Sequence, residues 1–363
     1  MASHNDYVDL FNRNIHRFFR QALQISLRDP AIAPFLYRTL RAQQRATAER
    51  QAQAARGVHV PPFMIASITR GCNLHCKGCY ARAQRPYDEP EMSPDKLRSV
   101  IAEARDLGVS IILIAGGEPL TRSEILDITA EFPEIIFPLF TNGLLIDDAM
   151  VAQFRRQRNL VPVISLEGHE GQTDDRRGSG VYGRLQQTLR AMRDAGIFFG
   201  VSLTVTSMNL PTITDERFVR DLMDLGSRLF FYVDYVPVQP GTEAPALDDA
   251  QRAQEARALE ILCRTVPALF VAFPGDEEMY GGCLAAGRGY VHISPEGRLE
   301  PCPFSPYSDT SLHDVSLREA LGSRLLRAIR ESDEHLSEVN GGCALWENRA
   351  WVQSLLHPAE AEL

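Results

Sequence analysis

The 363-residue sequence lacks the marks of several protein classes. It has no excess of positive charge, because 38 Lys and Arg against 47 Asp and Glu give a net charge of −9, which argues against a nucleic-acid partner. No apolar run approaches the ~20 residues of a membrane span, and the first residues show no secretory signal pattern. Seven cysteines are an odd number for a disulfide-stapled secreted domain. We therefore expect a cytoplasmic protein.

The N-terminal 60 residues carry a helical pattern. Apolar residues recur at helical spacing as far as Leu27, and a second helix is predicted from about Phe35 to Ala55. Arginines outnumber acidic residues here, so contact of a basic amphipathic helix with a membrane surface is one interpretation. Packing of its apolar face on the main domain is the other, and we favour it.

From about residue 62, short apolar runs alternate with amphipathic stretches such as Pro94–Leu107 and Tyr182–Asp194. The runs are Phe63–Thr69, Ile111–Ala115, Ile135–Phe140, Val161–Leu166, Phe199–Val205 and Leu229–Val236. This alternation predicts βαβ units and a parallel sheet. Six units are too few for a complete eight-stranded barrel, so we predict an α/β fold with a partial (β/α)6 barrel.

Shifts in composition predict the domain boundaries. The segments are an N-terminal helical extension over 1–60, the barrel over 61–240, a linker and helix over 241–275, a small cysteine-bearing domain over 276–350 and a tail over 351–363. A short strand is predicted at Tyr290–Ser294 within the small domain.

Polar or glycine-rich motifs follow four of the predicted strands. They are the loop with Cys72, Cys76 and Cys79, then Gly116-Gly117-Glu118-Pro119, then Thr141-Asn142-Gly143, and finally Glu167-Gly168. In parallel α/β sheets the ligand site lies at the carboxyl ends of the strands. We therefore expect these motifs to meet at one mouth.

Cys72, Cys76 and Cys79 have the spacing C-x3-C-x2-C. A loop this tight can present three thiolates to one iron–sulfur cluster, which leaves one iron of a cubane open for chemistry. The alternative is a zinc site with His75 as a further ligand, but zinc sites favour four ligands with C-x2-C pairs. We favour the cluster.

This loop, placed after the first strand of a partial barrel, resembles that of the radical S-adenosylmethionine (radical SAM) superfamily. The resemblance implies that S-adenosylmethionine chelates the open iron and is cleaved by the reduced cluster, usually to methionine and a 5′-deoxyadenosyl radical. It also implies a reductant such as flavodoxin or ferredoxin. Many members carry an aromatic residue just before the third cysteine. Here that residue is Gly78, and Tyr80 is the aromatic residue expected near the cofactor.

The motif Gly116-Gly117-Glu118-Pro119 is similar to the GGEP loop of the same superfamily. Its glycines allow close backbone approach, and Glu118 is expected to accept hydrogen bonds from the ammonium group of the cofactor. Asn142, which follows the third strand, is expected to shape its turn.

Two further stretches support the resemblance. Residues 164–168 are similar to the ISLDG strand end of the family with Glu in place of Asp, which implies that Ser165 and Glu167 lie at the cofactor. Residues 174–179 are similar to the D-x-x-R-G-S stretch that follows it, which places Arg177 near the methionine carboxylate. The alternative for Arg177 is a surface ion pair.

A second trio of cysteines lies near the C-terminus. Cys283, Gly297 and Cys302 fit the C-x9–15-G-x4-C opening of SPASM and twitch extensions, and Cys343 ends a GGC like the one that closes a SPASM domain. The resemblance implies an auxiliary [4Fe–4S] cluster on three thiolates. Candidates for a fourth ligand are Asp276, His292 and Asp309, and the alternative is three unrelated structural cysteines. The seventh cysteine, Cys263, lies in an apolar helical stretch and is expected to be buried.

We expect a radical SAM oxidoreductase or transferase with a catalytic and an auxiliary [4Fe–4S] cluster. The auxiliary cluster would bind substrate or transfer electrons. We favour a small-molecule or lipid substrate, because peptide-modifying relatives commonly carry an N-terminal wing of strands and this N-terminus is helical. The alternatives are a maturase of a ribosomal peptide or protein and a non-catalytic iron–sulfur electron carrier. No catalytic residue is assigned. Tyr232, Asp234 and Tyr235 lie toward the end of the sixth predicted strand. They either contact substrate or donate hydrogen to it, or they are core residues or support the residues that contact it.

Overall fold

The computed structural model describes residues 33–84, 88–273, 282–336 and 343–356. Nine strands form one sheet: β1 (Phe63–Ser67), β2 (Ile111–Ala115), β3 (Phe137–Thr141), β4 (Leu160–Leu166), β5 (Gly200–Val205), β6 (Leu229–Asp234), β7 (Leu269–Phe273), β8 (Tyr290–Ile293) and β9 (Leu299–Glu300). Their order is β7-β6-β5-β4-β3-β2-β1-β8-β9. Only the β8–β9 pair is antiparallel within this sheet.

Helices fill most of the connections between strands. They are α1 (Ala33–Ala55), α2 (Tyr80–Ala83), α3 (Pro94–Asp106), α4 (Glu124–Ala130), α5 (Asp148–Arg156), α6 (Glu170–Arg177), α7 (Val181–Asp194), α8 (Leu210–Ile213), α9 (Glu216–Asp224), α10 (Asp249–Thr265), α11 (Leu317–Leu321), α12 (Arg324–Arg330), α13 (Asp333–Leu336), α14 (Ala344–Glu347) and α15 (Arg349–Ser354). The first six strands alternate with helices as the sequence predicts, so the partial (β/α)6 barrel is confirmed.

Two features of the sheet were not predicted. The sheet continues past β6 into β7, which lies within the stretch interpreted as a linker and helix. At the other edge, β8 pairs in parallel with β1, with Phe63 opposite Tyr290. The C-terminal cysteine-bearing segment therefore shares the sheet of the barrel, and its loops emerge beside the loop that follows β1.

Aromatic side chains fill the interior of the curled sheet. Phe63 on β1 stacks on Phe273 on β7 with ring centroids 6.3 Å apart, and Phe273 stacks on Phe231 on β6 at 6.2 Å. Phe231 in turn meets Phe140 of β3 edge-on at 4.9 Å. Since β1 and β7 are not neighbours in the sheet, the contact between Phe63 and Phe273 shows that the sheet curls round a packed core. The site must therefore lie above this core, at the carboxyl ends of the strands.

The predicted helix from about Phe35 to Ala55 is present as α1, and its polar side chains contact the main domain. Arg50 is buried and donates to the carbonyl oxygen of Gly108 at 2.5 Å, and Gln53 accepts from Arg318 at 2.6 Å. This agrees with packing on the main domain. The helical pattern that ends at Leu27 lies outside the described residues. Among the described helices, none has both the length and the apolar character that crossing a membrane requires.

Candidate cluster and cofactor site

The first cysteine loop lies at the carboxyl end of β1, with all three thiols partly exposed. The backbone N–H of Leu74 donates to Sγ of Cys72 at 3.4 Å. Burial raises the pKa of the Cys72 and Cys76 thiols, and Arg177 and Arg176 act in the opposite direction on Cys76. Two guanidinium groups beside this thiol favour the thiolate, which is the form that binds iron.

The second motif packs directly against the cysteine loop. The N–H of Gly117 donates to the carbonyl of Thr69, and the N–H of Glu118 donates to the carbonyl of Gly71, each at 2.7 Å. A Cβ atom on Gly117 would lie 2.2 Å from the oxygen of Gly71, and one on Gly116 would lie 2.5 Å from the oxygen of Thr69. Only glycine fits at either position, so the close approach is made to the backbone of the cysteine loop.

Glu118 is buried and joins this motif to the end of β3. Its Oε1 accepts from Oγ1 of Thr141 at 2.7 Å and from the N–H of Leu120 at 3.0 Å. Its Oε2 accepts from the N–H of Asn142 at 2.7 Å. Burial raises the pKa of this carboxyl, while these three donors favour the charged form. The two carboxylate oxygens of Glu118 can accept about four hydrogen bonds, so one further donor, such as the ammonium group of the cofactor, could still bind there.

Asn142 shapes its turn and also contacts the cysteine loop. Its Oδ1 accepts from the N–H of Leu144 at 3.0 Å. Its Nδ2 donates to Oδ1 of Asn73 at 2.7 Å and lies 4.0 Å from Sγ of Cys72. The sequence predicts the role of Asn142 in the turn. It does not predict the contact of Asn142 with Asn73, which lies 69 positions earlier, because no local sequence pattern indicates a contact over that separation.

Glu167 lies at the end of β4 and binds two arginines. Its Oε1 accepts from Nη1 of Arg176 at 2.7 Å and from Nη2 of Arg177 at 2.5 Å. Its Oε2 is buried with no hydrogen-bond partner in the described part of the chain. The pair with Arg177 is buried, with side-chain exposures of 9% and 2%, so the surface ion pair considered for Arg177 is wrong.

Arg176 was not singled out from the sequence, but it joins α6 to the cysteine loop. Its carbonyl accepts from the N–H of Lys77 at 2.9 Å, and its Nε donates to the carbonyl of Lys77 at 3.1 Å. Ser165 lies on the same face of β4 as Val161 and Val163, which belong to the interior cluster. It is therefore on the interior face, close to the mouth.

Tyr80 lies between the two cysteine trios. Its ring meets that of Phe304 edge-on, with centroids 4.9 Å apart. Burial raises the pKa of its phenol, and the nearby thiols of Cys79 and Cys302 raise it further. The aromatic residue expected near the cofactor thus packs toward the second trio.

The second trio converges in the structure. Cys283 and Cys302 are buried, and Cys302 and Cys343 hydrogen-bond through their thiols. Although burial acts to raise it, the pKa of the Cys302 thiol is held at about 7 by hydrogen bonds with Cys343 and Tyr290. The hydroxyl of Tyr290 donates to Sγ of Cys302 at 3.4 Å. The hydrogen bond between Cys302 and Cys343 acts in the opposite direction on Cys343, and together with burial it raises the pKa of that thiol.

The turn before Cys302 forms as the sequence suggests. The N–H of Gly297 donates to the carbonyl of Ser294 at 2.9 Å, and the φ of Gly297 is +81°. This turn joins β8 to β9 and returns the chain toward the second trio. Gly341 and Gly342, which precede Cys343, lie outside the described residues.

The candidates for a fourth auxiliary ligand have other partners. Nδ1 of His292 lies 2.6 Å from Oε2 of Glu300, and its Nε2 lies 2.8 Å from Oγ of Ser67. Oδ2 of Asp309 accepts from the N–H of Leu325 at 2.9 Å, at the start of α12. Asp276 lies outside the described residues. Within those residues, no three Cys, His, Asp or Glu side chains are grouped closely enough to hold a single metal ion.

The prediction for Cys263 is wrong, since its side chain is exposed on α10. The buried residues of this helix are Glu255 and Leu262. Successive residues of an α-helix are about 100° apart, and this rotation carries Cys263 away from the buried face on which Leu262 lies. The apolar residues next to Cys263 in the sequence therefore do not show whether Cys263 lies on the buried or the exposed face of the helix.

The three candidate residues at the end of β6 separate in the structure. Tyr232 is buried and donates to the carbonyl of Ile213 at 2.8 Å, and Asp234 faces Arg252 at 3.8 Å in the helical layer. Tyr235 alone reaches the cysteine loop. A Cβ atom on Gly78 would lie 2.7 Å from Cε2 of Tyr235, and the φ of Gly78 is +64°.

Comparisons with known proteins agree with this geometry. Residues 66–225 match the model of the radical SAM superfamily. An AdoMet-dependent heme synthase from Methanosarcina barkeri is 25% identical, over 80% of this chain and 89% of the relative. The mycofactocin maturase MftC from Mycolicibacterium smegmatis is 26% identical, over 80% of each chain.

The fold is also that of a solved structure. SuiB from Streptococcus suis, solved with its precursor peptide SuiA, superposes with a TM-score of 0.64 at 18% identity, over 82% of this chain and 72% of SuiB. The strand-end motifs, the fold and these relatives lead to one conclusion: residues 66–225 form a radical SAM domain, and the chain is an enzyme.

Proposed function

We propose that Cys72, Cys76 and Cys79 bind a [4Fe–4S] cluster and that the surrounding motifs bind S-adenosylmethionine at its open iron. The observation that carries this proposal is the meeting of four strand ends around one loop. The cysteine loop is hydrogen-bonded to the Gly116–Pro119 motif, to Asn142 and to the end of α6. When bound and reduced, the cluster and cofactor would supply the 5′-deoxyadenosyl radical.

The donors and acceptors of this site fit such a cofactor. Oε2 of Glu167 is buried without a partner in the described part of the chain, and a buried carboxylate oxygen calls for a donor. The ammonium group of S-adenosylmethionine is one. Arg176 and Arg177 place two positive charges beside this carboxylate and Cys76. We assign them to holding Glu167 in place and to stabilising the thiolates.

We further propose that Cys283, Cys302 and Cys343 bind an auxiliary [4Fe–4S] cluster. Support comes from the convergence of the three thiols, with Cys302 hydrogen-bonded to Cys343 and Cys283 close enough to act on Cys343. His292 and Asp309 are engaged by other residues, and Asp276 lies outside the described residues, so no fourth protein ligand is assigned. We propose that one auxiliary iron is open to substrate.

For the substrate we propose a small molecule, with iron porphyrins as the first class to test. The M. barkeri relative named as a heme synthase matches 80% of this chain. The described N-terminal segment is the helix α1, packed on the barrel, so it offers no strand edge to which a peptide leader could add.

A peptide substrate is the second candidate, and one structural observation favours it. β7 lies at an edge of the sheet, with only β6 as a neighbour among the described strands, and extended peptides bind such edges by strand addition. The maturase relative and the likeness to SuiB point the same way.

The proposal is tested on anaerobically reconstituted protein. We expect about 8 iron atoms per chain, and about 4 after Cys72, Cys76 and Cys79 are all changed to Ala. Cleavage of S-adenosylmethionine is then followed with a panel of iron porphyrins and a panel of short peptides. A rise in turnover with porphyrins supports the first substrate class, whereas a rise with peptides alone overturns it in favour of the second.

A further inference from the structure

The two cysteine trios are joined by a direct contact between two aromatic rings. Tyr80 is the residue after Cys79, and Phe304 lies two residues after Cys302. Their rings meet edge-on with centroids 4.9 Å apart and planes at 62°. The contact therefore links the third ligand position of one trio to the second position of the other through few bonds.

A shared cavity wall places Tyr80 beside the segment of the second trio. Tyr80 lines a small cavity of about 50 Å³ together with His292, which lies on β8, and Pro303, which directly follows Cys302. The side chain that follows Cys79 therefore reaches the segment that follows Cys302.

The backbone fixes the relative positions of the two loops. The strands β1 and β8 pair in parallel, so the loops that follow them emerge at the same end of the sheet. Two side-chain contacts reinforce the pair. Oγ of Ser67, at the end of β1, lies 2.8 Å from Nε2 of His292 on β8, and beyond the strands Nε of Arg70 lies 3.2 Å from Oε1 of Glu296. The ring contact is therefore held by a rigid frame.

We propose that Tyr80 and Phe304 form the electron-transfer contact between the catalytic and the auxiliary cluster, an inference that rests on the auxiliary cluster proposed above. With both clusters bound, one electron would move from the auxiliary cluster, which would be oxidised, to the catalytic cluster, which would be reduced. No bond would break and no proton would move, and the two rings would serve as the packed path between the cysteine loops. Electrons tunnel faster through bonded and packed atoms than across a gap, and the protein supplies that packing here.

The test uses reconstituted full-length protein that holds both clusters. A light pulse with deazaflavin delivers less than one electron per chain, and freeze-quenched EPR samples follow how fast the electron distributes between the two clusters. The variants are Tyr80→Phe, which keeps the ring, and Tyr80→Leu and Phe304→Leu, which remove one. Phe270→Leu is the control, because it removes a ring that packs on Phe230 away from both trios.

Tyr80→Phe and the control should distribute the electron at the wild-type rate, whereas both Leu variants should be several-fold slower with the same final distribution. A wild-type rate in a Leu variant that holds both clusters would overturn the proposal. Loss of auxiliary iron in both Leu variants would also overturn it, because the contact would then be a structural brace. Wild-type protein with only about 4 iron atoms would instead show that the auxiliary cluster does not exist, and the contact would have nothing to join.

Discussion

Gly78 lies directly against the ring of Tyr235, across the mouth of the barrel. Gly78 belongs to the loop after β1, and Tyr235 immediately follows β6, five strands away in the sheet. Radical SAM relatives commonly carry an aromatic side chain at the position of Gly78. Here Gly78 has a φ of +64° and no side chain, and the ring of Tyr235, from the end of β6, occupies the adjacent space.

The first prediction concerns this pair. Gly78→Ala should destabilise the protein by more than the ~1–2 kcal/mol that a left-handed backbone costs a residue with a side chain, because the new Cβ overlaps the ring of Tyr235. In a Tyr235→Ala background only the backbone cost should remain. Denaturant unfolding of the four proteins measures the coupling. Equal costs of Gly78→Ala in both backgrounds would show that the contact does not exist.

The second prediction concerns Glu118. Replacing it by Ala removes the acceptor of three donors and a charge near the cofactor, so binding of S-adenosylmethionine should weaken by ~1.5–3 kcal/mol. This corresponds to about tenfold or more in affinity. Equilibrium binding to the reconstituted protein measures the change, with Glu124→Ala on α4 as a matched control. An unchanged affinity in Glu118→Ala would remove this residue from the site.

The third prediction concerns the buried pair of Glu167 and Arg177. Glu167→Gln removes the buried counter-charge of two arginines whose side chains are 17% and 9% exposed, and breaking a buried pair in this way costs about 3–5 kcal/mol. The free energy of unfolding should fall by an amount in that range. Glu170→Gln is the control. It lies at the start of α6, the helix that carries both arginines, and it should change the free energy of unfolding little. A loss no larger than that of the control would mean that the pair is solvated in solution.

The fourth prediction concerns the pH dependence of stability. Burial, with the neighbouring Asp234, raises the pKa of Glu255 from 4.5 to about 9. The folded state therefore holds a proton that the unfolded state loses above pH 4.5, so this group's stabilisation is complete below 4.5 and declines as the pH rises toward 9. Glu255→Gln has no such proton. The stability of the wild type relative to this variant should fall from pH 5 to pH 9 in unfolding titrations, and a flat difference would contradict the assignment.

How much the sequence could predict depends on the range of each interaction. The strands β1 to β6 follow from local apolar runs, and the three cysteines of the first loop follow from short spacings. β7 was missed because its five residues follow a helix closely and resemble the end of a linker. The exposed Cys263 was misjudged because apolar neighbours in sequence do not fix the face of a helix.

The long-range contacts of the site could not be predicted at all. Arg176 meets the cysteine loop 99 positions away, and Asn142 meets it from 69 positions away. The contacts of Tyr235 with Gly78 and of Phe304 with Tyr80 span still larger separations. These pairs are set by the curl of the sheet and by the β1–β8 pairing, which no single sequence pattern encodes.

The central claim is that the first cysteine loop is the catalytic cluster site of this enzyme. It is tested most directly by the 5′-deoxyadenosine formed from S-adenosylmethionine after anaerobic reduction with dithionite. The exposed Cys263 provides the matched control, because Cys263→Ala removes a thiol outside both trios. We predict slow formation of 5′-deoxyadenosine by the wild type and by Cys263→Ala, and none by Cys76→Ala. Formation at the wild-type rate by Cys76→Ala, or a 3-amino-3-carboxypropyl product in place of 5′-deoxyadenosine, would contradict the account.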